Sequence, residues 1–398
     1  MDFNQSISRI NTGSVKWDMV ESVYGSKDLL PLWIADMDFM VSPKIIEAIE
    51  KETSKGVFGY KSPSESLKKA IINWQSKQHN YQPDSSSIIF SPAVVPSICT
   101  AIQTYSEEEE AVLIHDPVYP PFASSVLNNN RELVTSSLVY NDGEYSIDFD
   151  DVEEKMMTRE IKMYIFCNPH NPGGRVWKYE ELKEVVALCK KYDVVLISDE
   201  IHQDIVFKPN KFTSMLTIDG SEDFTIALTA PTKTFNLAGL KCSYAFIPNQ
   251  SLRERFVQTQ AKNSGPDLHL EMNSIGLTAT EIALNNGELW LQQVIQHFDE
   301  QFDIVEEFLK NEIPNLKFKK PEGTYLAWLD FSELGLDDEQ LMDLLVNEGK
   351  VALNAGCAYG EGGSRFMRLN IATSRERLLE GLNRIKKSVY HIDNKIAL

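Results

Sequence analysis

From residue 88 to residue 247 the chain alternates short β-rich runs with helical segments, and that alternation leaves few folds open. The runs are Ile88–Ser91, Ala111–Asp116, Met163–Asn168, Val194–Asp199, Thr225–Thr229 and Ser243–Ile247. They are largely apolar along their length rather than at every second residue, as strands buried on both faces require. Between them lie segments such as Tyr179–Tyr192, where Leu182, Val185, Val186 and Cys189 recur at helical spacing. Strands alternating with helices build a mostly parallel sheet covered on both sides, so the fold class expected is a doubly wound α/β domain.

At 398 residues the chain is too long for one small core. A second region begins near Gly287 with a long amphipathic segment running to Glu312. Strands near Tyr325–Leu329 and Phe366–Ile371 follow, then a final helix from Ser374, which together read as a smaller α+β domain. Upstream, Ser42-Pro43 and Ser62-Pro63 each read as an N-cap followed by proline at the first helical position. Residues 85–106 lack charge, but Pro92, Pro96 and many hydroxyls argue for a buried strand, a turn and a helix rather than a membrane span.

With 39 basic and 58 acidic residues, the net charge of −19 opposes a nucleic acid or an anionic membrane as partner. The five cysteines (99, 167, 189, 242 and 357) form no CxxC pair, which disfavours a disulfide framework or a zinc site and fits a reducing cytoplasm. The opening thirty residues have no apolar stretch of the kind a signal peptide needs. The acidic run Glu107–Glu110 reads as a solvated loop, not a calcium site.

In open parallel sheets, ligands sit beyond the carboxyl ends of the strands. Three strand ends here are polar: Asn168-Pro-His-Asn171-Pro-Gly-Gly174, Asp199-Glu200-Ile-His202 and Thr229-Ala-Pro-Thr232-Lys233. An Asn, an Asp, a His and a Lys thus converge on one edge. Pyridoxal phosphate needs such a set: a lysine for a Schiff base, an acid to keep the pyridine nitrogen protonated, and donors for the ring oxygen and phosphate. Taken singly, an Asp after a strand is usually a cap and a strand-end Lys a surface charge.

Their order is more specific. An Asn-Pro-x-Asn-Pro-Gly turn precedes Asp199-Glu200 by about thirty residues, and the run from Thr232 to Leu240 follows about thirty-four later. In this the chain resembles the fold type I pyridoxal phosphate enzymes, from Trp33 to Arg375. Within them it is most similar to the carbon-sulfur lyases of the MalY/PatB type, the cystathionine β-lyases. Leu32-Trp-Ile-Ala-Asp36-Met-Asp38-Phe39, Gly59-Tyr60, Asp116-Pro-Val-Tyr119-Pro-Pro-Phe122, Asn168 to Trp177 and Asp199 to His202 carry that likeness.

The resemblance implies a class I/II aminotransferase-like fold in three parts. These are an arm, 1–45, packing with the small domain; a large cofactor-binding domain, 46–286; and a small domain, 287–398. It implies pyridoxal 5′-phosphate as cofactor, with Lys233 as its Schiff-base lysine, Asp199 as pyridinium partner, Asn171 and His202 near the ring hydroxyl, and Tyr119 stacked on the ring. The phosphate would be held by amides around Val94 and Val95, by Lys241 and Thr232, and by Tyr60 reaching across from a second subunit of a homodimer. Arg368 would grip the substrate α-carboxylate, with Asn171 and the loop at Ala35 and Asp36 nearby; no metal is implied. Relative to wider aminotransferases, His202 stands for Tyr, Lys241 for Arg, Ala230 for a phosphate-binding Ser and Gly174 for Thr, and only Gly174 suggests no consequence.

The activity implied is β-elimination of an S-substituted L-cysteine, cystathionine by default, to thiol, pyruvate and ammonia. An aminotransferase would use the same Lys233, Asp199 and Arg368, and the resemblance also permits a regulatory, protein-binding role. Trp33, Trp74, Trp290 and Trp328 read as packing residues, with Trp33 and Trp328 near the pocket. Cys167 and Cys242 read as buried fillers, and histidines 79, 115, 170, 269, 297 and 391 as surface or capping groups rather than metal ligands.

Overall fold

The computed structural model describes residues 1–5, 7–265 and 272–396. Seven strands form the main sheet: β1 Ile88–Ser91, β2 Ala111–Asp116, β3 Glu132–Ser137, β4 Met163–Cys167, β5 Val195–Asp199, β6 Thr225–Thr229 and β7 Ser243–Phe246. Their order across the sheet is β1-β7-β6-β5-β4-β2-β3, and β7 alone runs antiparallel to its neighbours.

Alternate residues of each strand enter different cores. Val112, Ile114, Ile165 and Ile197 pack with Ile98, Phe122 and Phe256 on one side. Leu113, Tyr164, Phe166 and Leu196 pack with Leu182, Val185 and Val152 on the other. Each fully buried apolar side chain of this kind contributes roughly 1.5–3 kcal/mol, which is why a strand with two apolar faces settles in the middle of the sheet. The fold is thus the fold type I aminotransferase-like α/β architecture, with a large, mostly parallel sheet.

A three-stranded antiparallel sheet of β8 Leu326–Asp330, β9 Asn354–Ala355 and β10 Phe366–Asn370 lies downstream, in the order β8-β10-β9. The helices Glu288–Glu312 and Arg375–Ile396 share its core through Val294, Phe298, Leu378 and Leu382. The segment Leu30–Pro31 pairs in parallel with Val351–Ala352. Among the described residues, no helix is long and apolar enough to cross a membrane.

Two expectations need correction, and one strand stands outside the expected set. The second early helix starts at Glu65, not at Pro63, because Ser64 is its N-cap and accepts from the amide of Leu67 at 3.1 Å. Strand β3 leaves no signal in the sequence because it is an edge strand with only Val134 and Ser136 buried, so no apolar run marks it. His79, His115, His170 and His297 are buried rather than superficial, each satisfied by a carboxylate or a backbone carbonyl. His269 lies outside the described residues.

Candidate active site

The carboxyl ends of β4, β5 and β6 open into one cavity of about 520 Å³. Because β7 runs the other way, Lys241, two residues ahead of it, returns to the same edge, and β1 ends there just before the helix Val94–Tyr105. Ala35, Val94, Val95, Tyr119, Asn171, Asp199, His202, Thr232, Lys233, Lys241 and Arg368 all line this cavity. A hollow of about 770 Å³ shares Asn354 with it but contains none of that Lys, Asp, His and Arg set.

Lys233 sits in the short helix Pro231–Thr234, where its Nζ donates to the carbonyl of Ala35 at 2.7 Å. Burial, with the Arg368 charge as a second cause, brings its amine down to about 8, while Asp36 and Asp199 pull the other way. Asp199 ends β5, and among the described residues the only hydrogen bond its carboxylate accepts is from the amide of Ile201, at 3.1 Å. Burial therefore pushes it up to about 7. His202 lies edge-on to Tyr325 at 5.8 Å, and its Nδ1 is buried with no partner among the described residues. Burial and the charges of Lys233 and Arg368 keep this ring neutral.

Arg368 is central in β10, opposite Trp328 of β8 and Asn354 of β9. It donates to Asn171 Oδ1 at 3.1 Å, to the carbonyl of Trp33 at 2.9 Å and to Asn354 Oδ1 at 3.1 Å, and it lies over the Tyr359 ring. Three of its five N–H groups are thus used, while Nε is buried with no acceptor among the described residues. None of the ion pairs among the described residues involves this cation, so it is poised for a carboxylate brought by a ligand.

The helix Val94–Tyr105 begins with no side-chain cap, and its third residue, Pro96, has no N–H to offer. Val94 and Val95, at this uncapped helix start, line the cavity. Thr232 and the exposed, left-handed Lys241 (φ 51°) line the same cavity. Gly174, to which the sequence attaches no consequence, has φ +69°, and a Cβ there would meet Pro321 at 2.3 Å. The turn that carries Asn171 therefore demands glycine.

Two expected residues are not brought into the cavity within this chain. Tyr60 is 86% exposed. The Asp36 carboxylate turns away to Arg9, at 2.6 Å, because the arm offers it a guanidinium, so the side of this loop that faces the cavity is Ala35. Sequence reasoning missed Tyr325, whose hydroxyl donates to the Ala35 carbonyl at 2.9 Å, and Asn370, whose amide donates to the carbonyls of Ile34 and Asp36 at 2.6 and 2.7 Å. These contacts join residues about 300 positions apart, and no local pattern announces them.

Cystathionine beta-lyase PatB of Bacillus subtilis is 38% identical to this chain, over 98% of it and 100% of that protein. A pyridoxal phosphate-bound putative aminotransferase from Clostridium difficile superposes with a TM-score of 0.94 at 41% identity, covering 98% of this chain and 99% of that one. Cystalysin from Treponema denticola, which contains a pyridoxal 5′-phosphate cofactor, gives 0.95 at 34% identity with the same coverage. The aminotransferase class I and II pattern matches residues 27–385, a span that holds the helix amides at Val94, the lysine at 233 and the arginine at 368, and this chain belongs to that family.

Proposed function

We propose that this protein is a pyridoxal phosphate-dependent carbon-sulfur lyase that eliminates the thiol from S-substituted L-cysteines such as cystathionine. The observation that carries the reading is a buried arginine without a carboxylate partner in the same cavity as a lysine held near pKa 8. The name of the Bacillus relative and the cofactor in the Treponema structure support it.

The residues fit the cofactor. Lys233 would anchor it covalently, Asp199 would hold its ring nitrogen protonated, and Asn171 and His202 would face its ring oxygen. Tyr119 would cover the ring, and the amides of Val94 and Val95 with Thr232 and Lys241 would hold its phosphate. When bound, pyridoxal phosphate supplies an electron sink for the bond broken at Cα. The protein's own groups do the rest. Arg368 fixes the α-carboxylate through its unused N–H groups, aligning the Cα–H bond. The Lys233 amine, largely neutral above pH 8, takes that proton. A thiol of reference pKa near 8.5 leaves without a strong dedicated acid.

Transamination of a dicarboxylate would need a further cation, and the cationic side chains lining the cavity are Lys233, Lys241 and Arg368. The discriminating assay incubates the holoenzyme with L-cystathionine and S-alkyl cysteines. Pyruvate and free thiol in equal amounts without added keto acid is the expected result. Amine transfer that requires a keto acid would overturn the reading.

A homodimer with Tyr60 serving the neighbouring cavity belongs to the same reading, and Val57, Phe58 and Tyr60 are all exposed on one short segment, as such an interface requires. Mixing Tyr60→Phe and Lys233→Ala subunits is expected to raise activity above either parent, because each heterodimer regains one unmutated site. No gain in verified heterodimers would refute sharing. Five free cysteines support a reducing, cytoplasmic setting.

The depressed lysine also predicts a pH dependence. Its folded pKa, about 8, lies below its unfolded value of 10.5, so a penalty on folding is full below pH 8 and fades as pH rises from 8 to 10.5. Cofactor-free Lys233→Met is therefore expected to be more stable than cofactor-free wild type at pH 7, by roughly 1–3 kcal/mol since cavity water screens the charge. Thermal melts should converge near pH 10, and a constant difference across pH would contradict the assignment.

A further inference from the structure

Among the described residues, the loop from Trp33 to Phe39 is the one segment that hydrogen-bonds to both Lys233 and Arg368. Its Trp33 carbonyl accepts from Arg368 and its Ala35 carbonyl accepts from Lys233. Its two carboxylates point the other way. Asp36 accepts from Arg9 Nη1 and Nη2 at 3.0 and 2.6 Å, and Asp38 from Arg9 at 2.9 Å, Lys16 at 3.0 Å and the Trp17 indole at 3.1 Å. Arg377 lies 4.0 Å from Asp38 while covering the Trp17 ring. Lys16 is wholly buried, and its own carbonyl accepts from the Trp33 indole at 2.9 Å. Burying such a charge cluster is a poor route to stability, because desolvation offsets most of the attraction, and its better-attested yield is a fixed register.

We propose that Arg9 and Lys16 are positioning residues: the N-terminal arm grips the outer face of this loop so that its inner carbonyls hold Arg368 and Lys233 in line for the reaction. Resting on the lyase reading, the inference concerns the geometry of the site and not its chemistry. Arg9 is the better handle of the two, since its side chain is a quarter exposed and can be changed without opening a core.

The test compares holoenzymes of wild type, Arg9→Ala, Arg9→Lys and, as an arm control, Lys27→Ala, whose ammonium pairs with surface Glu21. Steady-state elimination and hydrogen exchange of amides 33–39 are measured on each. Arg9→Ala is expected to speed exchange in 33–39 and to lower kcat/KM by roughly ten- to a hundredfold, with kcat and KM both affected, as misplacing catalytic groups does. Arg9→Lys keeps the charge but reaches one carboxylate at a time, so it should recover most of the exchange protection and part of the activity. Lys27→Ala should match wild type. Faster exchange confined to residues 1–18 with kcat/KM within about twofold of wild type would overturn the proposal, leaving the cluster as an anchor for the arm alone. Should Arg9→Ala not fold, Arg9→Gln is judged by the same criteria. Exchange is read without substrate, so an absent lyase reaction in wild type would refute the functional reading while the loop is still judged.

Discussion

Lys233→Ala is expected to lower turnover by at least about a thousandfold, the scale set by loss of a positioned general base before loss of the covalent anchor is counted. The fold should survive, because among the described residues the only hydrogen bond Nζ makes is to the Ala35 carbonyl, which keeps the Tyr325 hydroxyl as a second donor. Circular dichroism and thermal melts check the fold, and pyruvate release checks the activity. Near-wild-type turnover in a folded variant would mean that another base does the work.

The second large effect falls on Arg368. Changing it to lysine keeps one charge but loses the planar fork, and it leaves Asn171, Asn354 and the Trp33 carbonyl with at most part of their present donors. kcat/KM is expected to fall by at least roughly a hundredfold, about 2.7 kcal/mol of transition-state stabilisation, with the cofactor's absorbance nearly unchanged. A cysteine conjugate with an amidated carboxylate should be a poor substrate for wild type and lose far less on the mutation, its charge partner being absent already. Equal losses on both substrates would make Arg368 a support for the fold or the cofactor instead.

What is legible in the sequence is what local chemistry writes there. Strands buried on both faces show as apolar runs, and polar residues at their ends stand out against them, so the spacing of those ends suffices to place Asn171, Asp199, His202 and Lys233 on one edge. Strand β3 cannot be found in that way, since an edge strand with two buried residues leaves almost no hydrophobic trace. The arm's grip on the Trp33–Phe39 loop is invisible for another reason. Arg9 and Lys16 meet the catalytic loop through ion pairs, which have no periodicity, and the residues that close the site around Ala35 come from some 200 to 300 positions away. Asp36 shows the limit from the other side: its type and position suit the cavity, but a nearer cation claims it. Gly174 reads as a neutral difference in the sequence, and only the packing of Pro321 against the turn reveals why a side chain is excluded.

The proposed chemistry depends on one bond, between Lys233 and the cofactor. Borohydride reduction of the yellow holoenzyme followed by peptide mass mapping should place the pyridoxyl group on Lys233 alone. The cavity holds a second amine, Lys241, within the same lining. A label on Lys241, or no label at all after reconstitution with pyridoxal 5′-phosphate, would contradict the assignment.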